Sequence, residues 1–222
     1  MPALAAIVIG HRESKQGARS VDGTTEFAWN TEHAIRLRLL LVALGVEAVI
    51  IEREDRRDGY SRLPALVNAT RARCCVSLHW NGSASASATG SEALYYSGSR
   101  RGRELAEALD IADDVLGLRD RGLGGVKPRG WEVAKIEPGH RHGKLVLPGA
   151  MTRKAAHMRA DELGPLYVPQ RQRGAYLLEC TSMPCCIVEP AFGSNPDDWR
   201  VLNQRAHLLA RAQAEAIAEW LA

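Results

Sequence analysis

Short apolar runs alternate with helix-like segments along most of the chain, and this alternation restricts the possible fold more than any other feature. Strand-like runs are predicted at residues 3–9, 46–51, 74–79, 91–96, 174–179 and 185–189. Helices are predicted at residues 26–44, 61–73, 101–116 and 197–220, and Gly45 is a natural stop for the first of them. The pattern predicts an α/β fold with a mostly parallel, roughly six-stranded twisted sheet, flanked by helices on both faces.

One domain with an insertion at about residues 121–172 is the simplest arrangement of the 222 residues. The insertion is rich in Gly, Pro and basic residues, and its only helical hint is at residues 152–162. Residues 121–175 carry 11 Lys and Arg against 4 Asp and Glu, whereas the whole chain has a net charge of only +3. A basic segment suggests a local anionic partner, although a solvated insertion would explain it equally well. Nucleic acid is not expected, because the segment has no known reading motif.

The cysteines and the N-terminal residues indicate the cellular compartment in which the chain is made. Cys74–Cys75 and Cys185–Cys186 are neighbours on predicted strands, so each pair points to opposite faces, and Cys180 has no CxxC partner. All five are predicted to be buried free thiols, which fits synthesis in a reducing compartment. The N-terminus lacks the basic start of a signal peptide, and no apolar stretch approaches 18 residues. These features predict synthesis in the cytoplasm and no stable membrane association, and leave the oligomeric state open.

Acidic and imidazole residues follow three of the predicted strands. His11, His79 and Glu189 stand at strand ends, and Glu26 opens the first helix. Ligands of open α/β sheets collect at the carboxyl ends of the strands. Two imidazoles and one carboxylate form a common catalytic zinc set, and a further carboxylate can transfer protons. A lone His at a strand end is more often structural, so spacing alone does not decide the function.

Four segments together resemble the zinc-dependent N-acetylmuramoyl-L-alanine amidases of bacterial cell walls and phage endolysins. They are IVIGHRESKQGA, TTEFAWN, CVSLHWNGSAS and YLLECTSMPCCIVEPAFGSNPDD, in the order and rough spacing of the family's blocks. The last is the most specific, because its MP-x-x-x-VE-x-x-F-x-SN-x-x-D string is hard to meet by chance. The matched blocks cover roughly half the chain and span nearly its whole length.

The resemblance implies one zinc ion held by His11, Glu26 and His79, with Glu189 as general base and then general acid. The implied reaction is hydrolysis of the amide bond between N-acetylmuramic acid and L-alanine of the peptidoglycan stem peptide. The first block departs from the family, because Val-Ile-Gly-His-Arg-Glu stands where Asp-Pro-Gly-His-Gly-Gly is usual. This departure puts the loop around His11 in doubt more than the ligand itself.

Trp80 stands where the family usually has Ala, so its ring is either a platform for a sugar or part of the rim packing. Asn81 and Arg173 are further expected substrate-binding residues. Glu32 and His33 are rival ligands for Glu26, which matches the block better because it precedes the helical run. Three other residues are predicted to be solvated surface groups: Glu13, His140 and His142.

The insertion has two possible functions. Its basic excess favours a lip that grips the carboxylates of stem peptides. Its position, where some cell-wall members carry a regulatory helix, favours a plug in which Glu132 or Glu137 reaches the metal. The chain as a whole is predicted to be a phage or prophage endolysin that reaches the wall after release. The alternatives are a zinc carboxypeptidase-like peptidoglycan hydrolase and a catalytically silent wall-binding module.

Overall fold

Most strands of the protein are short, and those of the main sheet are largely buried. The computed structural model describes residues 4–121, 124–135, 144–164, 167–172 and 174–222. The strands are β1 (Leu4–Ile9), β2 (Glu47–Ile51), β3 (Cys74–Leu78), β4 (Glu92–Tyr96), β5 (Val126–Arg129), β6 (Trp131–Lys135), β7 (Lys144–Met151), β8 (Tyr167–Arg171) and β9 (Cys185–Glu189). The helices are α1 (Glu26–Ala43), α2 (Gly59–Ala69), α3 (Arg100–Asp113), α4 (Arg153–Leu163), α5 (Ala175–Cys180), α6 (Pro196–Gln204) and α7 (Ala206–Leu221).

Six strands form the main sheet in the order β2-β1-β3-β9-β4-β5. The pairs from β2 to β9 are parallel, β4 is antiparallel to β9, and β5 is parallel to β4. The carboxyl ends of β2, β1, β3 and β9 therefore meet at one edge together with the amino end of β4, where Glu92 pairs with Glu189. The predicted α/β fold with a mostly parallel, six-stranded sheet is confirmed.

Helices cover both faces of this sheet, as predicted. One core cluster packs α1, α3 and α7 against residues such as Ile7, Val76 and Val188. A second cluster packs α2 and α5 against the opposite face, which includes Val8 and Ile187. Adjacent apolar strand residues alternate between the two clusters, so the central strands are apolar on both faces except at Ser77 and at the glutamates on the rim, Glu92 and Glu189.

The four strand cysteines are free and buried, as predicted, and Cys180 is free and partly buried. Cys74 belongs to the first core cluster and Cys75 to the second. Cys186 and Cys185 divide in the same way. Burial raises the pKa of Cys74 to about 12, so this thiol stays protonated and behaves as a small apolar side chain.

The segment 121–172 contains more regular structure than the sequence indicates. Its first strand, β5, extends the main sheet, and the others form a separate three-stranded antiparallel sheet in the order β7-β6-β8. The predicted helix is present as α4, and the hydroxyl of Thr152 caps it by accepting a bond from the amide of Ala155 at 3.3 Å. Val133, Ala156 and Ala160 form a small core between α4 and this sheet.

Two predicted elements are wrong in type or extent. The run at residues 174–179 is helix α5 and not a strand, because Leu177 and Leu178 both turn towards the second core cluster. The predicted terminal helix is two helices that meet at Arg205, whose guanidinium donates to the carbonyl oxygens of Val115 and Leu116 at 2.9 and 3.2 Å. Among the described residues, we find no helix of the length and apolarity that crossing a membrane requires.

A buried polar chain links α1, α7 and α3. Nε2 of His33 lies 2.8 Å from Oε1 of Gln213, and Nε2 of Gln213 donates to Oδ1 of Asp113 at 2.8 Å. Burial raises the pKa of Asp113 to about 8, and the charges of Asp110 and Asp114 act in the same direction, against the bond from Gln213. The folded state therefore holds a proton on Asp113 well above the pH at which the unfolded chain releases it.

We expect Asp113→Asn to stabilise the protein increasingly as the pH rises. A folded pKa above the unfolded value gives a contribution that is complete below about pH 4 and is lost as the pH approaches 8. The amide cannot ionise and keeps the acceptor for Gln213, so the variant should gain roughly 1–3 kcal/mol over wild type at pH 8.5 and little at pH 4. Denaturant unfolding at both pH values measures this, with the exposed Asp161→Asn as control. An equal gain at the two pH values would contradict it.

Candidate metal centre and cleft

The carboxyl edge of the main sheet brings together residues that are distant in sequence. His11 follows β1, His79 follows β3 and Glu189 ends β9, and these three strands are neighbours. The amide of His79 donates to the carbonyl oxygen of Val188 at 3.0 Å, and the amide of Gly10 donates to that of Leu78 at 2.9 Å. The backbone thus fixes all three side chains at one rim of the sheet.

Glu26 joins this rim because of the loop that precedes α1. The hydroxyl of Thr25 caps the helix by accepting a bond from the amide of Ala28 at 3.3 Å. The amide of Glu26 donates to the carbonyl oxygen of Ala18 at 3.0 Å, which folds the loop back over the helix start. The first residue of α1 is thereby directed towards the two histidines.

The carboxylate of Glu26 lies between the two imidazoles. Its Oε2 is 2.9 Å from Nε2 of His11, and its Oε1 is 2.8 Å from Nδ1 of His79. The side chain of Glu26 is 5% exposed, whereas those of His11 and His79 are 23% and 24% exposed. Burial by itself would raise the pKa of Glu26, but hydrogen bonds and charge from the two histidines outweigh it and lower the pKa to about 2.

These three residues offer a metal-ligand set. One ligand atom from each of His11, Glu26 and His79 can be chosen so that all three lie within 4.8 Å of one another. Two imidazole nitrogens and one carboxylate oxygen match the donors that zinc prefers. The backbone amides of Ala18 and Trp80 donate to the two oxygens of Glu26 at 3.1 and 3.3 Å, which fixes the orientation of the carboxylate.

The loop between β1 and α1 approaches this cluster closely. His11 has a φ of 68°, which side chains adopt rarely, so the loop and not the local preference of the residue sets its direction. Gly17 has a φ of 80°, and a methyl group there would lie 2.5 Å from the His11 ring and 2.6 Å from Oε2 of Glu26. The departure from the family's first block leaves His11 within the cluster.

Glu189 lines the same cleft without joining the cluster. Burial raises its pKa, and the negative charges of Glu92 and Glu26 act in the same direction. The positive charges of His79 and Arg121 lower it by less. A carboxyl group with a raised pKa beside a candidate metal centre is a candidate to exchange protons with a reacting group.

Beside Glu189 in the sheet is a buried charged group that sequence reasoning missed. Glu92 is 1% exposed, and its carboxylate accepts from Arg121, from Nζ of Lys127 at 2.7 Å and from Nδ2 of Asn81 at 3.0 Å. Burial would raise the pKa of Glu92, but these partners outweigh it and lower the pKa. A glutamate at the start of a predicted buried strand was the available signal, because a buried carboxylate needs a partner.

The rim opens into a cleft of about 1240 Å³ that runs over the second face of the sheet. Its floor includes Val8, Leu94 and Ile187, and its walls include Tyr60 of α2 and Tyr176 of α5. Five arginines line it, from both the main body and the segment 121–172: Arg19, Arg53, Arg121, Arg129 and Arg171. The predicted basic character is therefore located at the cleft and is not confined to the insertion.

Two of the three predicted substrate-binding residues, Trp80 and Asn81, lie among the described residues and are already engaged by neighbouring side chains. The Trp80 ring is 2% exposed and packs against Trp199 with centroids 5.6 Å apart, which favours rim packing over sugar stacking. Asn81 lines the cleft, but its amide group is already bonded to Glu92 and Arg121. Arg173 lies outside the described residues.

The rival ligands are directed elsewhere. Glu32 is exposed and pairs with Arg36 at 3.4 Å, and His33 is buried against Gln213. Glu13 is exposed, as predicted. His140 and His142 lie outside the described residues. None of the described rivals can replace Glu26 in the cluster.

Of the two predicted plug residues, Glu132 lies among the described residues and faces the cleft. Glu132 lines the cleft, and its oxygens accept from Nε2 of Gln170 at 2.9 Å and from Nε2 of Gln172 at 3.2 Å. Both oxygens are thus held by side chains of β8 and of the residue that follows it. Glu137 lies outside the described residues.

Comparison with known proteins agrees with this geometry. A sequence model of a family described as N-acetylmuramoyl-L-alanine amidase matches residues 6–219. A search of curated protein sequences gives no match.

Three similar solved structures illustrate the fold, and at these identities they show the fold alone. The catalytic domain of the amidase CwlV from Bacillus (Paenibacillus) polymyxa var. colistinus has 18% identity and a TM-score of 0.69, over 99% of this chain and 98% of that one. The amidase Ami1 from Mycobacterium smegmatis has 18% identity and a TM-score of 0.70, over 99% and 96%. The catalytic domain of the CD27L endolysin, which targets Clostridia difficile, has 18% identity and a TM-score of 0.63, over 99% and 96%.

Proposed function

The chain belongs to the N-acetylmuramoyl-L-alanine amidase family, and from this premise we propose that it is a zinc-dependent enzyme of peptidoglycan hydrolysis. The bond cut is the amide between N-acetylmuramic acid and the L-alanine of the stem peptide. The observation that carries the proposal is the cluster of His11, Glu26 and His79 at the rim of the cleft, with Glu189 on the neighbouring strand.

The donor set of the cluster fits one zinc ion. His11, Glu26 and His79 would hold it and leave a position open towards the cleft, onto which both imidazoles are partly exposed. Zinc bound there would polarise the scissile carbonyl and make a water acidic near neutral pH. The amide donors of Ala18 and Trp80 keep the carboxylate of Glu26 oriented for this purpose.

Glu189 is the proposed proton carrier. Its raised pKa allows the carboxyl group to accept a proton from the attacking water and to donate it to the leaving nitrogen of L-alanine. The partners of Glu92, which are Arg121, Lys127 and Asn81, keep that second carboxylate ionised next to Glu189. Burial, with the negative charge of Glu92 as a smaller contribution, favours the protonated form of Glu189, which is the form needed to expel the amine.

Product identification tests the proposed reaction. Purified peptidoglycan is digested, and the soluble products are identified by mass spectrometry. Free stem peptides beginning with L-alanine, together with glycan chains that keep intact lactyl groups, are the expected products. Release of single terminal amino acids would indicate the carboxypeptidase-like alternative, and release of nothing would indicate a silent wall-binding module.

We also propose that the chain is one catalytic domain of a phage or prophage endolysin, made in the host cytoplasm and active on the wall after release. The similarity to the CD27L catalytic domain supports this, and the bacterial amidase CwlV has the same identity with a higher TM-score. Expression in the host together with a membrane-permeabilising protein should cause lysis, and expression alone should not. Lysis without permeabilisation would exclude the proposed dependence on release.

Gly17→Ala should weaken zinc binding by about 10–100-fold, the range typical for loss of groups that orient metal ligands. The added methyl group would meet His11 and Glu26, and the left-handed backbone would be strained. Gly23→Ala is a matched control in the same loop, because Gly23 has a φ of 89° and an added methyl group would meet nothing within 4 Å. Zinc titration of both variants measures the difference. An equal loss of zinc affinity in both would assign the effect to backbone strain, and wild-type affinity in Gly17→Ala would contradict the prediction.

A further inference from the structure

A ladder of arginine and aromatic side chains follows one wall of the cleft. The guanidinium of Arg53 lies 5.6 Å from the centre of the Tyr60 ring, and the rings of Tyr60 and Tyr176 are 5.7 Å apart. The guanidinium of Arg171 lies 4.9 Å from the Tyr176 ring and 4.8 Å from the Trp131 ring. Arg53 and Arg171 thus stand at the two ends of a tyrosine pair, and all four side chains line the cleft.

Arg171 is held rigidly in this ladder. Two aromatic rings stack on its guanidinium, and its Nε donates to Oε2 of Glu179 at 2.8 Å. The indole nitrogen of Trp131 also donates to Glu179, at 3.0 Å from Oε1 and 3.1 Å from Oε2. This arrangement uses the Nε edge, and within the described part of the chain neither terminal nitrogen donates a hydrogen bond to a carboxylate. A guanidinium fixed in this way loses little freedom when it binds a carboxylate.

Arg53 is a cation in a crowded basic position after β2. Its Nε is buried and has no hydrogen-bond partner among the described residues. Asp55 does not form an ion pair with it, because Arg12 and Ser14 engage the Asp55 carboxylate. Burial and the charge of Arg12 lower the pKa of Arg53, so a bound anion would relieve the local excess of positive charge.

The position of the ladder suggests which part of the substrate it meets. The cleft is continuous from the metal cluster at the rim to Arg53 and Arg171. If the scissile amide lies at the cluster, the stem peptide can extend along the apolar floor while the glycan stays outside. The stem peptide carries carboxylates, which bind Arg in a bidentate manner.

We propose that Arg53 and Arg171 bind two different carboxylates of the stem peptide, so that the enzyme prefers acidic stem peptides to amidated ones. The inference rests on the proposed function and extends it to the peptide chemistry of the substrate. The tyrosine pair separates the two guanidiniums, and it also gives the peptide backbone and side chains an aromatic surface.

Hydrolysis of two soluble substrates tests the proposal. Both are N-acetylmuramoyl peptides with the same stem; one has free carboxylates and the other has carboxamides. We expect wild-type kcat/KM to be about 10–100-fold higher on the acidic substrate, as for hydrogen bonds to charged groups. Arg53→Gln and Arg171→Gln should each lower kcat/KM more on the acidic substrate than on the amidated one, so that the ratio of the two values falls towards one. Zinc content and thermal unfolding of the variants check that they fold.

Arg153→Gln is the matched control. The guanidinium of Arg153 lies 5.5 Å from the centre of the Trp131 ring but does not line the cleft, so the same charge change there should keep the preference. Equal wild-type rates on the two substrates, or equal losses on both in the Arg53 and Arg171 variants, would overturn the proposal. Failure to cut the bond to L-alanine in either substrate would instead overturn the proposed function, and this inference with it.

Discussion

Glu189→Gln is expected to lower kcat by about 10²–10⁴-fold, the range that general acid–base groups contribute. Gln keeps nearly the size of Glu but can neither accept the water's proton nor give it to the leaving amine. Zinc affinity should remain within a few-fold of wild type, because Glu189 is not part of the cluster of His11, Glu26 and His79. Steady-state hydrolysis and zinc titration of the same preparation measure both effects.

Glu215→Gln is the control for that change, because it removes one carboxylate from the exposed surface of α7. It should leave kcat and zinc affinity unchanged. A Glu189→Gln enzyme that keeps the wild-type rate would remove Glu189 from the mechanism. A variant that loses zinc as well as activity would instead place Glu189 among the groups that hold the metal.

His79→Ala should abolish activity by removing the metal. Loss of a ligand is expected to weaken zinc binding by more than about 100-fold, since loss of groups that merely orient ligands already costs about 10–100-fold. The variant also leaves Glu26 buried with one imidazole partner in place of two, so the carboxylate should lose part of its stabilisation. Metal content after dialysis and hydrolysis of peptidoglycan measure the effect.

His207→Ala is the matched control, because His207 is exposed on α7. Dialysis against a strong chelator should bring the wild-type enzyme to the activity of His79→Ala, and added zinc should restore only the wild type. Full activity of the chelated wild type, or of His79→Ala, would contradict a metal-dependent mechanism.

The residues at the sheet rim were predictable because they follow apolar strands. β1, β3 and β9 are continuous buried runs, and parallel strands of one sheet place their carboxyl ends together. His11, His79 and Glu189 are therefore brought to the same rim, and the loop after β1 sets the final direction of the His11 side chain. The helical run predicted from residue 26 gave the start of α1 and with it the position of Glu26.

The elements that were missed depend on contacts distant in sequence. Residues 174–179 are too short an apolar run for periodicity to separate a strand from a helix. The strands β6 to β8 contain charged and polar residues and are paired across long separations, as between Trp131 and Met151 or Trp131 and Arg171. The burial of Glu92 depends on Arg121 and Lys127, and neither motif nor spacing indicates such a network.

The most direct test of the central claim is anomalous diffraction at the zinc absorption edge from crystals of the zinc-loaded enzyme. We predict one strong peak at the rim of the cleft, bonded at about 2.0–2.2 Å to one nitrogen of His11, one nitrogen of His79 and the carboxylate of Glu26. A strong peak bonded to other residues, or no peak at that rim in crystals of active enzyme, would contradict the assignment.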